Sequence, residues 1–445
     1  MDRSENRGHL LRFARGQLGP LERKSLEPMA LADAINPRRL QFFFNSREWR
    51  EDEVRETLQR HVASEIGDSH GIFVIDETSD AKKGRHTAGV ARQYCGESGK
   101  IDNCIVSVHT TYVGRGVHAL IDGELFLPPS WNPGQPQADK RRKRCAIPDH
   151  VRHRTKAAIS MGQLRRALGN GMSGQWVSAD EHYGGTPWWR NEVVALGLYY
   201  VVEIPRSTYG WTKKPAWALP RHRAKTGRPL KRQVPSSAPR RVEHLADKLA
   251  QPWQAWRVHD TQKGPEVWQF KETAFYATVA GQARSQGPLR LLVGRHALTG
   301  EIKYFLSNAP PRHKLSQLVS VAFSRWRVER CFQDCKGELG MNHAEIRSWR
   351  GLSRHYILTA VNYFFLVLLR REWGEKSGPG SDDQPVERRD STTGSNRGRR
   401  PARPRANKTT GRKACRTNQC HPASQPPGQA VSAKAPDQNL AVPRV

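Results

Sequence analysis

The sequence predicts an α/β fold, preceded by a helical region and followed by a tail that does not fold. Three observations predict it. Two short apolar runs, "GIFVID" from Gly71 and "GQWVSAD" from Gly174, each end on a carboxylate. Between and after them, runs rich in β-branched and aromatic residues alternate with helix-compatible segments, the order of elements of an α/β protein. Beyond Trp373 aromatic residues vanish and Pro, Gly, Ser, Arg and Gln take over, leaving too little apolar surface to offset the entropy of folding.

Residues 1–65 read as helical. In "REWREDEVRETLQRHVASE", Trp49, Val54, Leu58 and Val62 recur close to one helical face. From Gly71 the texture changes to strands. The run to Asp76 is followed by "NCIVSVHTTYV" (103–113) and "HALIDGELFLP" (118–128), separated by a Gly114-Arg115-Gly116 turn. A charge-dense loop, "DKRRKRCAIPDHVRHR", precedes a helix from Thr155 to about Leu168, which Gly169-Asn170-Gly171 terminates. The second carboxylate-ending run reaches Asp180. A helix through Trp188–Leu196 and a strand "LYYVVEI" (198–204) complete a unit spanning 66–205.

Residues 206–310 form a β-rich, basic insertion: a Pro-rich stretch with Trp211 and Trp217, a strand over 266–279 and a hairpin turning at Thr299-Gly300. Helices return over 313–340, stopped by Gly340, and from Leu352 to Glu372, so that 311–372 closes the folded part. Residues 373–445 are expected to be disordered.

The chain has 445 residues and a formal charge of +31. The tail supplies +8 of this, leaving +23 on the part that folds, so a basic surface there needs an acidic partner. A membrane is not expected to be that partner. The first thirty residues are charged throughout, without a signal segment, and the longest apolar stretch, Tyr356 to Leu369, is short for a bilayer crossing and holds Asn362. It reads as a buried helix. Of 7 cysteines, Cys331 and Cys335 lie one helical turn apart, but no second pair accompanies them. Reduced thiols in the cytoplasm are the expectation.

A site that cuts phosphodiesters needs carboxylates on rigid elements, able to share divalent cations in a basic cleft. Asp76 and Asp180 at strand ends fit that demand. Arg325, Glu329, Phe332 and Lys336 fall at i, i+4, i+7 and i+11, one face of a helix. Taken alone, that face also reads as a solvated one with an Arg325–Glu329 ion pair, worth a few tenths of a kcal/mol.

Residues 15–372 resemble the insertion-sequence DDE transposases of the insertion sequence 701 type, related to the insertion-sequence-four group. The resemblance is carried by "FVIDETSDAKKGRHTAGVARQYCG" with Asp76, "WVSADEHYG" with Asp180, and "RWRVERCFQDCKGELGMNHAEIRSWRGLSRH" with Glu329. Arg325, Glu329 and Lys336 also fit the group's tyrosine–arginine–glutamate–lysine spacing, although Ala322 stands at the tyrosine position. The resemblance implies an RNase H-like core with a mixed five-stranded sheet. It implies Asp76, Asp180 and Glu329 as the catalytic triad and as ligands of two Mg²⁺ ions, with Mn²⁺ substituting. It further implies cleavage and strand transfer on double-stranded DNA with terminal inverted repeats, joined to target DNA by a homodimer that binds the bacterial nucleoid.

In that setting Lys82, Lys83, Arg85, Arg325, Lys336 and Arg347 are expected to hold DNA phosphates. Residues 1–65 either bind DNA or pack as a subdomain, and Arg350, Arg354 and His355 either touch the DNA backbone or pack. Glu77, Asp80, Glu181 and His182 flank the site in supporting or solvated roles, and Asp122 and Glu124 are expected to face solvent. Trp211 and Trp217 pack or stack on bases. A phosphatase with an aspartate nucleophile would need a second aspartate where Thr78 stands. The remaining alternative is a non-catalytic DNA-binding protein derived from a decayed or domesticated transposase, which the intact triad argues against.

Overall fold

The computed structural model describes residues 3–46, 48–219, 233–261, 264–278 and 285–377; the tail expected to be disordered lies outside them from 378 onward. Four helices open the chain: α1 (Ser4–Leu18), α2 (Leu26–Ala32), α3 (Pro37–Asn45) and α4 (Glu51–Ile66). Asn36 caps α3 by accepting from Arg38 N, and Pro37 takes the first helical position, where no N–H is needed. Glu51, Asp52 and Glu53 open α4, where the positive end of the helix dipole favours acid.

These helices pack; none stands apart. Phe13, Leu40, Phe43, Phe44 and Trp49 are buried in the main core. Gln17 donates to Leu339 O at 3.0 Å and to Thr359 Oγ1 at 2.9 Å. Arg354, fully buried, donates to Phe43 O at 2.8 Å and lies 3.9 Å over the Trp49 ring. Arg354 and His355 are therefore packing residues.

The strands β1 (Ile72–Ala81), β2 (Ala91–Cys95), β3 (Lys100–Gly114) and β4 (Val117–Leu125) form an antiparallel set. Arg115 and Gly116, both at positive φ, make the two-residue turn between β3 and β4. Helices α5 (Pro136–Arg144) and α6 (Lys156–Gly169) lead to β5 (Trp176–Ala179). Next come α7 (Glu181–Gly184), α8 (Pro187–Ala195) and β6 (Tyr199–Glu203), with β5 parallel to both β1 and β6. Antiparallel strands followed by two parallel ones are consistent with an RNase H-like core. The segment expected as a charged loop is instead partly helical. Pro136 starts α5, and Arg142 stays buried by donating to the carbonyls of Trp131, Pro148 and Val151.

The sheet does not stop at β6. Small strands β7 (Tyr209–Trp211), β8 (Trp217–Ala218), β9 (Val234–Pro235) and β10 (Arg240–Arg241) are followed by α9 (Val242–Ala246). Then come β11 (Gln254–Thr261), β12 (Gly264–Thr278), β13 (Ser285–His296) and β14 (Ile302–Ser307). β14 pairs with the open edge of β6, so a sheet of 12 strands replaces the expected five among the described residues. An unpaired β6 edge would leave a row of backbone donors and acceptors exposed, and the added strands satisfy it. Trp211 is buried and donates to Ser237 O at 2.9 Å, a packing role.

The single helix expected over 313–340 is broken into α10 (Leu315–Phe323) and α11 (Arg325–Gly337). At the junction Ser324 Oγ donates back to Val321 O at 2.6 Å, a local bond that competes with the helical ladder. Trp268, Phe270 and Phe305 of the added strands pack with Phe323 of α10, so those strands set where α11 begins. The last helix, α12 (Trp349–Ser377), runs past the predicted end at Glu372. Residues Trp349–Gly374 are long and apolar enough to cross a bilayer by length and composition, but most of that stretch is buried in the fold, as in a core helix.

Candidate active site

β1 carries Asp76 in its middle rather than at its end. Its parallel pairing with β5 stops at Ile75↔Ala179, while its antiparallel pairing with β3 runs on to Ala81. Neighbouring strands lie about 4.8 Å apart, so Asp76 and Asp180, each one residue past that last pair, emerge side by side. Asp180 caps α7: its Oδ1 accepts from His182 N at 3.0 Å and from Tyr183 N at 3.4 Å.

Asp76 is opposite His109 in β3, and His109 packs edge-on to Phe332 of α11, so Asp76 faces that helix. The helix face read from the sequence lies along β1. Arg325 Nη2 is 3.5 Å from Asp76 Oδ2, and Lys336 Nζ donates to Ser79 O at 3.2 Å. From 325 to 336 a helix rises about 16 Å, and from 76 to 79 a strand rises about 10 Å, a difference that the long Arg325 and Lys336 side chains span.

Arg325 is the hub of the site. Besides Asp76 it reaches Glu329 Oε1 at 3.3 Å and, through Nη1, Glu203 Oε2 at 3.5 Å. Its guanidinium keeps only 21% of its side-chain surface, and Nε has no hydrogen-bond partner. Four carboxylates, those of Asp76, Asp180, Glu203 and Glu329, raise its pKa against the opposing effect of burial. Desolvation pushes Asp76 up to about 7, with Asp180 and Glu329 adding to the rise and Arg325 opposing it. Glu203 is likewise raised by burial.

Asp76 therefore gives a pH prediction. Its folded pKa stands above the ordinary 3.8, so ionisation costs the fold nothing near pH 4 and the full amount above about pH 7. A three-unit shift is worth about 4 kcal/mol, but the 16% of side-chain surface that stays open lets solvent offset much of it. Asp76→Asn should stabilise the protein by about 1–2 kcal/mol at pH 8 and not at pH 4, measured by urea unfolding at both. Equal effects at the two pH values would contradict this account.

The neighbours sort by face. Glu77, next to Asp76 but on the other side of β1, pairs with Lys156 of α6 and accepts from Tyr183 Oη at 3.4 Å. Asp80 pairs with Lys82, while Glu181 and His182 are exposed. Asp122 does not face solvent: it is fully buried, 2.9 Å from Arg55 and 3.0 Å from Arg166. Glu124 is likewise held, by Arg154 and Arg166.

Of the cations expected to hold phosphates, Lys82, Arg325 and Lys336 are engaged within the fold. Lys83, Arg85 and Arg347 are exposed. Backbone and side-chain bonds stitch their segments to α5: Ala88 N donates to Arg347 O and Trp349 N to Cys145 O, each at 2.9 Å, and Arg141 donates to Val90 O at 2.9 Å. Lys140, Lys143 and Arg144 of α5 are exposed on the same stitched segments, and none of these six cations has an ion-pair partner among the described residues.

The sequence reading passed over Glu203. Its signal was present, because Leu198 to Val202 is a third apolar run, and it is followed directly by the Glu203 carboxylate. A Cβ on Gly184 would meet Glu203 O at 1.9 Å, so α7 and its cap Asp180 lie tight against the end of β6.

The donor set suits a hard divalent cation in kind, since acidic side chains from β1, the end of β5 and α11 share one positive charge. Among the described residues, however, no three His, Cys, Asp or Glu side chains are gathered at metal-holding spacing. Arg325 stands between them.

The model of the DDE superfamily endonucleases matches residues 1–265. The chain belongs to that family. The match includes Asp76 and Asp180, whereas Glu329 lies beyond it. The chain is also 29% identical over 198 residues to a protein from Microchaete diplosiphon named as the probable transposase for insertion sequence element IS701. The alignment covers 44% of this chain and 48% of that protein, so the chain spans about half the length of the curated relative it matches.

Proposed function

We propose that the protein is the DNA transposase of an insertion sequence, cutting strands at the element's ends and transferring them by in-line phosphoryl transfer. One observation carries the reading: in a DDE-family chain, Asp76, Asp180 and Glu329 emerge from three elements around a single half-buried guanidinium. Asp76 and Asp180 on adjacent strands, with Glu329 above them, would hold two Mg²⁺ ions, for which Mn²⁺ should substitute. Those ions, when bound, neutralise charge on the phosphate and favour ionisation of the attacking water or 3′-hydroxyl. Ionised Asp76 supplies the charge that holds them, at the desolvation cost already noted. The rigid pairing of β1 with β3 and β5 would hold these carboxylates in place against the reacting phosphorus.

The DNA would run from this cleft toward the six unpaired cations. Lys83 is seven residues past Asp76; even fully extended chain gives about 23 Å, or about seven base pairs of duplex. Reversing Lys140, Lys143 and Arg144 to Glu should weaken duplex binding at least about tenfold at moderate salt. It should also flatten the slope of log affinity against log salt by about 3, near 0.9 per phosphate contact. An unchanged slope would remove α5 from the DNA path.

The function itself is tested with a labelled duplex carrying the element's terminal inverted repeats and a target duplex. Cutting and joining that require Mg²⁺ or Mn²⁺ are expected, and crosslinking should capture two protomers per joined pair of ends. If the unmutated protein binds the ends and never cuts, the chain is the binding-only relic of a transposase.

A further inference from the structure

Glu203 has no part in the triad, yet it shares the Arg325 guanidinium with it. The two ends of that guanidinium do different things. Nη2 lies against Asp76 and Glu329, at 3.5 and 3.3 Å, while Nη1 lies against Glu203, at 3.5 Å. None of these contacts is as short as a strong charge-assisted hydrogen bond, and Nε bonds nothing, so no single partner fixes the side chain. Glu203 sits on a paired strand. It closes β6 opposite Phe305 of β14, it keeps 19% of its side-chain surface, and Lys303 of β14 approaches it at 3.7 Å.

We propose that Arg325 is a placeholder cation that competes with divalent metal for Asp76 and Glu329, and that Glu203 is a positioning residue, the post that retains Arg325 when metal takes over those carboxylates. The proposal rests on the metal-holding role given above to Asp76, Asp180 and Glu329. A divalent cation on those carboxylates competes with the guanidinium for the same oxygens, and the like charges repel. Arg325 must then leave Asp76 and Glu329. Glu203 gives it an anionic partner to keep, on the neighbouring strand, so its displacement needs no passage of a naked guanidinium into a half-buried apolar setting.

The readout is Mn²⁺ affinity of the full chain without DNA, followed by the electron paramagnetic resonance signal of free Mn²⁺. Arg325→Gln removes the competitor and should tighten binding about tenfold, the scale of effect that partners of metal ligands have on affinity. Glu203→Gln leaves Arg325 more firmly on Asp76 and Glu329 and should weaken binding several-fold. The double variant should match Arg325→Gln, because Glu203 acts only through Arg325.

A drop in affinity, or none at all, in Arg325→Gln would overturn the placeholder. Weakening by Glu203→Gln that persists in the double variant would make Glu203 a direct metal ligand and overturn the post. Binding that survives Asp76→Asn at full affinity would place the metal elsewhere and refute the underlying assignment, whatever Arg325 does. Circular dichroism of each variant shows that a loss of binding is not a loss of fold.

Discussion

Asp76→Ala and Asp180→Ala should each slow DNA strand cleavage by about a thousandfold or more while leaving duplex binding intact or slightly tighter. The two halves of that result have separate causes. On the proposed function, cleavage falls because each carboxylate would supply charge that holds cations at the reacting phosphate, and neither can be replaced by a neighbour. Glu77 is turned to the opposite face of β1 and tied to Lys156, and Asp80 is paired with Lys82. Binding does not fall because the cations proposed to carry it lie on other segments, and because removing an anion from the cleft lessens its repulsion of phosphates. Glu329→Ala should lose as much cleavage, although the side chain is 59% exposed and contributes little to stability. Circular dichroism of each variant excludes fold loss as the cause. Cleavage within about tenfold of the unmutated protein in any of the three would remove that residue from the triad.

How much of this was legible in the sequence depends on the distance over which each feature is decided. The face of Arg325, Glu329, Phe332 and Lys336 is set by helical period alone, and it is the face that lies along β1. The strand-end aspartates were visible as apolar runs that stop on charge, although β1 continues through Asp76 because β3 goes on supplying partners to Ala81. What was hidden is decided by elements far apart in the chain. Nothing local shows that β14 will pair with β6 and extend the sheet. Nor does anything local show that Arg325 will turn inward to Asp76 and Glu203 rather than outward to a phosphate. The unpaired cations of α5 were read as a loop, because their charge density conceals that Arg141 and Arg142 spend theirs on carbonyls.

Asp122→Ala should destabilise the protein by about 3–5 kcal/mol, in contrast to the stabilisation expected of Asp76→Asn. Both are poorly solvated carboxylates of one sheet, and alternation along β4 suggested a solvated place for Asp122. The structure gives it no exposed surface and two guanidiniums, Arg55 Nε at 2.9 Å from α4 and Arg166 Nη2 at 3.0 Å from α6, with Gly123 N donating at 2.8 Å. Its charge is fully answered, and it ties two helices to the edge of the sheet that supports β3 and β1. Removing it leaves Arg55, with 8% of its side chain exposed, facing a buried gap with only Asp52 as a partner. Asp76 also accepts from a backbone N–H, that of Glu77 at 2.7 Å, but it is answered by one shared cation at 3.5 Å and pressed by other carboxylates, so neutralising it relieves the fold. Urea unfolding at pH 8 should therefore order the proteins Asp76→Asn, unmutated, Asp122→Ala, from most to least stable. At a temperature where Asp122→Ala is still folded it should bind Mn²⁺ with unaltered affinity and cut DNA, and Asp76→Asn should do neither. An Asp122→Ala protein that is as stable as the unmutated one would mean that Arg55 and Arg166 find other anions. A stable variant that has lost cleavage would place Asp122 in the chemistry.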